Sequence, residues 1–301
     1  MRRAILATLL LVACDGATIA PDAGPARDAG PARDAALDDA APPTDATAAD
    51  AEVDGGRDDA GEVDAGPAPA CNPADMPTPN EGLSEAPGEG GCPAGMVAVA
   101  GICMDRFEGS LVLVDDTGPI GSWSPFHNPG TNRVAALSLA GAVPQGYISG
   151  SQADAACGES GKRLCTDTEW LLACQGAAGR TYPYGTTRMD GVCNDARAVH
   201  PAIERFGTSA AWIWSELGDA CINQLPDSLA TTGSHTGCVT PEGIFDLMGN
   251  LHEWTADPAG TFRGGYYVDT RINGNGCLYR TTAHDVSHWD YSTGFRCCAT
   301  P

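Results

Sequence analysis

Residues 243–254 read Gly-Ile-Phe-Asp-Leu-Met-Gly-Asn-Leu-His-Glu-Trp, and this run decides the fold prediction for the 301-residue chain. Two carboxylates, those of Asp246 and Glu253, stand on either side of a glycine turn. Hard cations such as Ca²⁺ prefer carboxylates and backbone carbonyls as ligands. The run therefore favours a cation-binding turn. The alternative is that both acids only cap turns and are solvated.

Further motifs lie on both sides of this run, and their order along the chain matters more than any one of them. They are Gly95–Val97 with Cys103–Glu108, Gly161–Trp170, Tyr182–Gly185 with Cys193–Asp195, Phe262–Gly265 and Gly294–Cys297. Together they resemble the formylglycine-generating enzyme (sulfatase-modifying factor) family over nearly all of residues 71–301. The resemblance implies a variant of the C-type-lectin-like fold that is low in regular secondary structure.

Local patterns agree with an α+β domain of short strands, few helices and stapling disulfides. Thr166 is a natural N-cap, and Glu169 three residues later completes a capping box. Trp170 and Cys174 then supply an apolar stripe, which predicts a helix here. A second, weaker helix is predicted over Ala153–Gly158.

Two calcium sites are implied by the family resemblance. The first takes two side chains and two backbone carbonyls, from Asp246, Glu253, Gly249 and Leu251. The second maps less closely, through a loop of different length, onto Asn194, Asp195, Asp227 and Leu229.

The cysteine content predicts an oxidising compartment. Thirteen cysteines are too many for a reducing cytosol. Without Cys14, an even number remains, which suits up to six bridges.

Some disulfide pairings are implied by the resemblance and others stay open. The family frame implies two bridges, Cys157–Cys297 and Cys174–Cys277. Two more are expected from position along the chain, Cys165–Cys298 and Cys71–Cys92. The sequence leaves open the pairing of Cys103, Cys193, Cys221 and Cys238.

The catalytic question concerns the residues after Gly264-Gly265. Family enzymes carry a serine there, followed by two cysteines that bind Cu(I), and Cu(I) requires soft thiolates. In this chain Tyr266 takes the serine position, Asp269 the first cysteine position, and Asn273–Gly274 the second. Cys277 matches the structural cysteine that follows. His252 also replaces a family tryptophan. A carboxylate, an amide and a glycine cannot hold Cu(I), so copper-dependent formylglycine generation is not expected.

A histidine-based metal site is a separate hypothesis. His284 and His288 are four residues apart, and on a helix that spacing could supply two ligands of a Zn²⁺ or Fe²⁺ site, with His252 as a third. The following residues read as a loop leading into a strand, so hydrogen-bonded structural histidines are the favoured interpretation.

Residues 15–70 are predicted to be a disordered tether. They consist almost wholly of Ala, Asp, Pro, Gly, Thr and Glu, and cannot bury a core. Acids outnumber arginines there, so the segment repels itself and extends. The net charge of the whole chain, −22, argues against nucleic acid or an anionic lipid surface as a partner.

The first 14 residues are predicted to be a lipoprotein signal peptide. A charged start precedes the apolar run Ala4–Ala13, which at roughly 15 Å of helix is too short to span a bilayer. Leu11–Cys14 then fits a lipobox, with Cys14 as the lipidated residue. The alternative is an ordinary secretory peptide. Either way the chain is exported, and lipidation would hold it at the periplasmic face or the cell surface.

Three functional hypotheses follow for residues 71–301. The first is a membrane-anchored binding module for a protein, peptide or glycan. The second is an enzyme of the broader family with an altered active site. The third is copper chemistry with Cys277 recruited into the pair, which fails if Cys277 is bridged to Cys174.

Overall fold

Helices form in this protein where capping side chains predict them. The computed structural model describes residues 71–301. It contains the helices α1 (Gly150–Glu159), α2 (Asp167–Gln175) and α3 (Pro201–Phe206). Thr166 and Glu169 form the predicted capping box of α2, and the weaker predicted helix lies inside α1. These two helix predictions are confirmed.

Eleven short strands form three separate sheets among the described residues. The first sheet has the order β1 (Met96–Val99), β2 (Ile102–Asp105), β11 (Cys297–Ala299), β6 (Arg163–Leu164). The second has the order β10 (Thr293–Phe295), β7 (His252–Trp254), β8 (Phe262–Arg263), β9 (Arg280–Thr281). The third has the order β4 (Gly118–Ser122), β3 (Gly109–Asp115), β5 (Val134–Ser138). Only the β10–β7 pairing is parallel among these, and the predicted α+β class is correct.

Strand β11 links the two largest cores because its neighbouring cysteines point to opposite faces of the sheet, as successive strand residues do. Cys297 packs in one core with Trp254 and Phe295. Cys298 packs in the other with Trp170. The last strand of the chain therefore holds both halves of the interior together.

All twelve cysteines of the described residues are closed in six disulfides. Three bridges are those expected from the sequence, and they are Cys157–Cys297, Cys165–Cys298 and Cys174–Cys277. The pairing that the sequence left open is resolved as Cys193–Cys238, with Cys103 and Cys221 bound elsewhere.

The expected Cys71–Cys92 bridge is wrong. Cys71 is bonded to Cys221, and Cys92 to Cys103. Cys92 precedes the β1–β2 hairpin and Cys103 lies on its second strand, so the hairpin brings these two together over a separation of 11 residues. Cys71 is left to fasten the start of the described chain to a segment 150 residues away.

The close packing of Phe295 depends on one glycine. A Cβ atom on Gly109, in β3, would lie 2.5 Å from the Phe295 ring. Glycine is thus required where the third sheet meets β10.

The predicted signal peptide, Cys14 and the predicted tether lie outside the described residues. Within residues 71–301, no helix has both the length and the apolar character that crossing a membrane requires.

Candidate functional site

A buried ion pair between Glu253 and Arg296 lies at the centre of the predicted cation-binding run. The Arg296 guanidinium donates to both carboxylate oxygens of Glu253, with Nη2–Oε1 and Nε–Oε2 distances of 2.5 and 2.6 Å. Neither side chain is more than 1% exposed. Trp170 Nε1 also donates to Oε2, at 2.5 Å. Because both charges are removed from water, loss of either partner would leave the other buried and unpaired.

Two further buried carboxylates, those of Glu108 and Asp246, lie beside this ion pair. Glu108 accepts hydrogen bonds from Asn250 Nδ2 at 2.6 Å and from the Leu251 N–H at 3.1 Å. Burial raises the pKa of Glu108 well above its usual value, and repulsion from Asp246 and Glu253 adds to the effect. Burial likewise raises the pKa of Asp246 to about 6. The cluster carries three acids for one guanidinium.

The first predicted calcium set fits a hard cation in its donor chemistry. Asp246 accepts a hydrogen bond from the Gly233 N–H through Oδ2, which leaves Oδ1 for a cation. Glu253 Oε1 accepts from Arg296 alone and keeps a second lone pair. Between these acids the backbone turns sharply, with φ angles of 79° at Gly249 and 59° at Asn250. A divalent ion would neutralise the excess negative charge of the cluster.

Such an ion would depend on backbone carbonyls as well as on side chains. In residues 71–301, no group of three or more His, Cys, Asp or Glu side chains is arranged to hold a metal ion. The first set therefore needs the predicted carbonyls of Gly249 and Leu251 to complete its ligands.

The second predicted calcium set consists of Asn194, Asp195, Asp227 and Leu229. Asn194 Nδ2 donates to the Ser228 carbonyl at 2.8 Å, which places Asn194 beside the loop that holds the last two members. Asp195, however, is ion-paired to Arg188. Asp227 is exposed to solvent. This set fits a cation less well than the first, because its one buried carboxylate is ion-paired, whereas the first set keeps the buried Asp246 outside the Glu253–Arg296 pair.

The residues that the resemblance aligns with the copper cysteines lie in a closed, hydrogen-bonded turn. Tyr266 and Asp269 pair across the turn in an antiparallel bridge. The Asp269 carboxylate accepts hydrogen bonds from the Arg271 and Ile272 N–H groups at 3.0 and 3.1 Å. It therefore caps its own loop. Cys277 ends this segment, fully buried in its disulfide.

His252 and Tyr266, two residues at which the sequence departs from the family pattern, contact each other. The ring of Tyr266 lies 4.7 Å from that of His252. Tyr279 joins them to the next replaced position, since its hydroxyl is 3.4 Å from His252 Nε2 and accepts from Asn273 Nδ2 at 3.3 Å. Side chains thus fill the space between these positions.

Burial sets the protonation of this aromatic cluster. It lowers the pKa of His252 to about 3, with nearby His284 and His288 also lowering it. It raises the pKa of Tyr279 to about 12. His252 is therefore neutral, and Tyr279 keeps its proton near neutral pH.

The structure does not place His284 and His288 on a helix. They lie in the loop between β9 and β10, with ring centroids stacked 4.0 Å apart. His288 Nε2 lies 3.3 Å from an Asp290 carboxylate oxygen. Phe262 separates this pair from His252, since its ring lies 5.8 Å from that of His284 and 4.5 Å from that of His252. The histidines are packed against aromatic rings and an acid, as the structural interpretation predicts.

Sequence reasoning gave no role to Glu108 or Arg296. Both stand inside motifs that the resemblance rests on, but each is separated in sequence by more than 40 residues from its partners in the site. Arg296 itself was the available signal. It stands between Phe295 and Cys297 in an apolar stretch, and a charge that is buried there needs a buried partner.

Known proteins were compared with the chain. Residues 122–300 match the sulfatase-modifying factor enzyme 1-like domain. A mouse protein named inactive C-alpha-formylglycine-generating enzyme 2 is 27% identical over 193 residues, which cover 60% of this chain and 56% of that protein. Its bovine namesake is 26% identical over 167 residues, covering 52% and 50%. The chain thus spans about half the length of these curated relatives.

Among solved structures, PvdO from Pseudomonas aeruginosa aligns with 75% of this chain and 90% of its own, at 14% identity and a TM-score of 0.41.

Proposed function

The chain belongs to the family of sulfatase-modifying factor enzyme 1-like domains, and we propose that it is a non-catalytic member that binds a partner outside the cytoplasm. One observation carries this proposal: every cysteine from residue 71 onward is closed in a disulfide. The curated relatives are themselves named inactive enzymes.

The copper chemistry implied by the resemblance lacks its ligands here. Cu(I) is held by soft thiolates, and the resemblance places Asp269 at the first cysteine position and Asn273–Gly274 at the second. Recruitment of Cys277 would require the reduction of its bond to Cys174. The hydrogen bonds that Asp269 makes to its own loop give that residue a structural role instead.

A direct assay tests the absence of catalysis. The purified full chain is incubated with Cu(I), oxygen and a cysteine-containing peptide. The mass of the peptide is then measured by mass spectrometry to detect conversion of its cysteine to formylglycine. A formylglycine-generating enzyme with an intact cysteine pair serves as the positive control. We expect no conversion, and conversion at a rate comparable to that of the control would overturn the proposal.

We also propose that a lipid on Cys14 anchors the chain, with residues 15–70 as the tether, on the strength of the lipobox and of the acidic composition. The wild-type chain should partition into the detergent phase in Triton X-114 extraction, and Cys14→Ala into the aqueous phase. Equal partitioning of the two would contradict this part of the proposal.

The proposal also includes a fold type and a bound cation. Short strands in three sheets, three helices and six disulfides suit a C-type-lectin-like variant. The donor chemistry of the Asp246–Glu253 turn suits one structural Ca²⁺. Neither requires catalysis, so the domain would serve as a rigid scaffold that presents a binding surface.

A further inference from the structure

We infer that three exposed tryptophans, Trp212, Trp214 and Trp289, form a surface that binds a lysine- or arginine-rich segment of a partner protein. This inference rests on the proposed binding function and names the class of ligand. The three residues are called the tryptophan surface below.

Two of the indoles stand on one rigid 3₁₀-helix, Ala211–Ser215. Trp212 is 52% exposed and Trp214 is 43% exposed, while Ile213 between them is fully buried and anchors the helix. Trp212 also packs edge-on against Phe206 at the end of α3, with ring centroids 5.2 Å apart. The backbone is therefore fixed while the two indoles remain open to solvent.

The third indole reaches the same region from the β9–β10 loop. The Trp289 ring lies against Gly218, where an added Cβ atom would be 3.3 Å from it. Two residues later, the Tyr291 N–H donates to the Leu217 carbonyl at 3.2 Å. Trp289 is thus held next to the residues that follow the 3₁₀-helix, and it is 40% exposed.

His200 connects the two parts beneath the indoles. Its ring meets Trp214 edge-on at 4.9 Å and Tyr291 at 5.9 Å. Its Nε2 is hydrogen-bonded to the Tyr291 hydroxyl at 3.1 Å. The surface is therefore preorganised, which reduces the entropic cost of binding.

The exposure of these indoles points to a ligand. Three of the six tryptophans of the chain are on this surface, whereas Trp170 and Trp254 are fully buried. Tryptophan is enriched among the residues that dominate binding energy at interfaces.

The charges of the domain select a cationic ligand. Of the 17 Lys and Arg residues, five precede residue 71. The other twelve all form ion pairs with acids, so the described part of the chain offers no unpaired lysine or arginine to an anion. Of the 39 acids, 14 precede residue 71, so 25 acids face these twelve cations.

Two of the unpaired acids lie close in sequence to the tryptophan surface. Glu216 follows the 3₁₀-helix, and Asp285 precedes Trp289 by four residues. Both are exposed, and neither forms an ion pair with a described basic residue. An indole face attracts a cation through its quadrupole, and tryptophan does so best among the aromatics. Exposed indoles with such acids nearby in the chain suit a guanidinium or an ammonium group.

Fluorescence titration of the full chain in neutral detergent tests the inference. The probes are a synthetic peptide of alternating arginine and glycine, an acidic peptide of equal length and a neutral oligosaccharide. The acidic tether would also attract the basic peptide, but all six tryptophans follow residue 71. Quenching of tryptophan fluorescence therefore reports binding at the folded domain.

The expected result is quenching by the basic peptide alone. Changing all three tryptophans of the surface to alanine should weaken binding at least tenfold, and Glu216→Gln with Asp285→Asn should weaken it about threefold and reduce its salt dependence. Changing the three tryptophans to phenylalanine should restore part of the affinity, because the rings remain. The controls Ile120→Ala, also at an exposed apolar side chain, and Glu81→Gln should leave affinity unchanged.

Equal binding by the alanine variant and the wild type would overturn the inference, as would preferential binding of the acidic peptide or the oligosaccharide. The formylglycine assay tests the proposed function separately. If the tryptophan surface fails the titration and the assay still shows no conversion, the domain is a non-catalytic module with a different ligand.

Discussion

The segments 247–254 and 264–277 are neighbours in space but carry different kinds of chemistry. The Gly249 N–H donates to the Gly264 carbonyl at 3.0 Å, and the Tyr267 N–H donates to the Asn250 carbonyl at 3.1 Å. The first segment holds a fully buried ion pair at Glu253. The second holds a self-capped turn and a disulfide. The two segments thus share backbone hydrogen bonds, while the buried ion pair lies on the first and the disulfide on the second.

Breaking the buried ion pair should have the largest effect. Arg296→Met leaves the fully buried Glu253 carboxylate near Glu108 without its guanidinium partner, so we expect a loss of about 3–5 kcal/mol in the free energy of unfolding. Denaturant unfolding followed by circular dichroism measures this loss.

A surface ion pair supplies the matched control for that experiment. Arg163 is 39% exposed and pairs with Glu169, so Arg163→Met should cost less than about 1 kcal/mol. Equal losses for the two variants would mean that the buried Glu253–Arg296 pair matters no more to stability than a surface ion pair does.

Opening the disulfide of the second segment should have the next largest effect. The double variant Cys174→Ala, Cys277→Ala removes a bridge across 103 residues and should lower stability by about 2–5 kcal/mol. It should not create copper-dependent activity, because it supplies no thiolate. An unchanged midpoint of unfolding would show that Cys277 is not structural.

Calcium should stabilise the protein through the first segment and not through the second. With a Kd of about 10⁻⁴–10⁻³ M, about 10 mM Ca²⁺ would stabilise the fold by about 1–3 kcal/mol. The melting temperature should rise relative to a sample in EDTA, and Asp246→Asn should abolish the rise. Asp227→Asn serves as the control and should retain it. A rise that survives in Asp246→Asn would remove the first predicted site.

The smallest effect should come from pH at His200, which contacts the second segment through Tyr291 and Tyr266. Burial lowers the pKa of His200 to about 4, while Asp290 opposes and Arg197 adds to that change. A histidine whose folded pKa is depressed contributes stability above its unfolded pKa of about 6.5 and loses it as pH falls towards 4.

The test compares unfolding at pH 7 and pH 5. His200→Asn keeps an N-cap side chain for α3 and removes the titration. Wild type should lose about 1 kcal/mol more than the variant over this range, after allowance for partial exposure. Parallel losses would show that His200 titrates normally in the fold.

The sequence predicts local features, such as helix starts, better than contacts between distant residues. Thr166 and Glu169 predicted the start of α2 because a capping box involves residues only three positions apart. The family frame gave the partners of Cys157 and Cys174. The Cys71–Cys92 expectation was wrong because sequence order does not reveal that the β1–β2 hairpin brings Cys92 to Cys103.

The sequence by itself determined the family and the even set of cysteines after Cys14, since each is a property of residue identity and order. Only the tertiary structure decided that Arg296 closes on Glu253, that His252 packs against Tyr266 and Tyr279, and that Trp289 lies against Gly218, just after the 3₁₀-helix. Such contacts join residues far apart in sequence, and their partners are selected by burial, because a desolvated charge or hydroxyl must find a complement wherever the fold brings one.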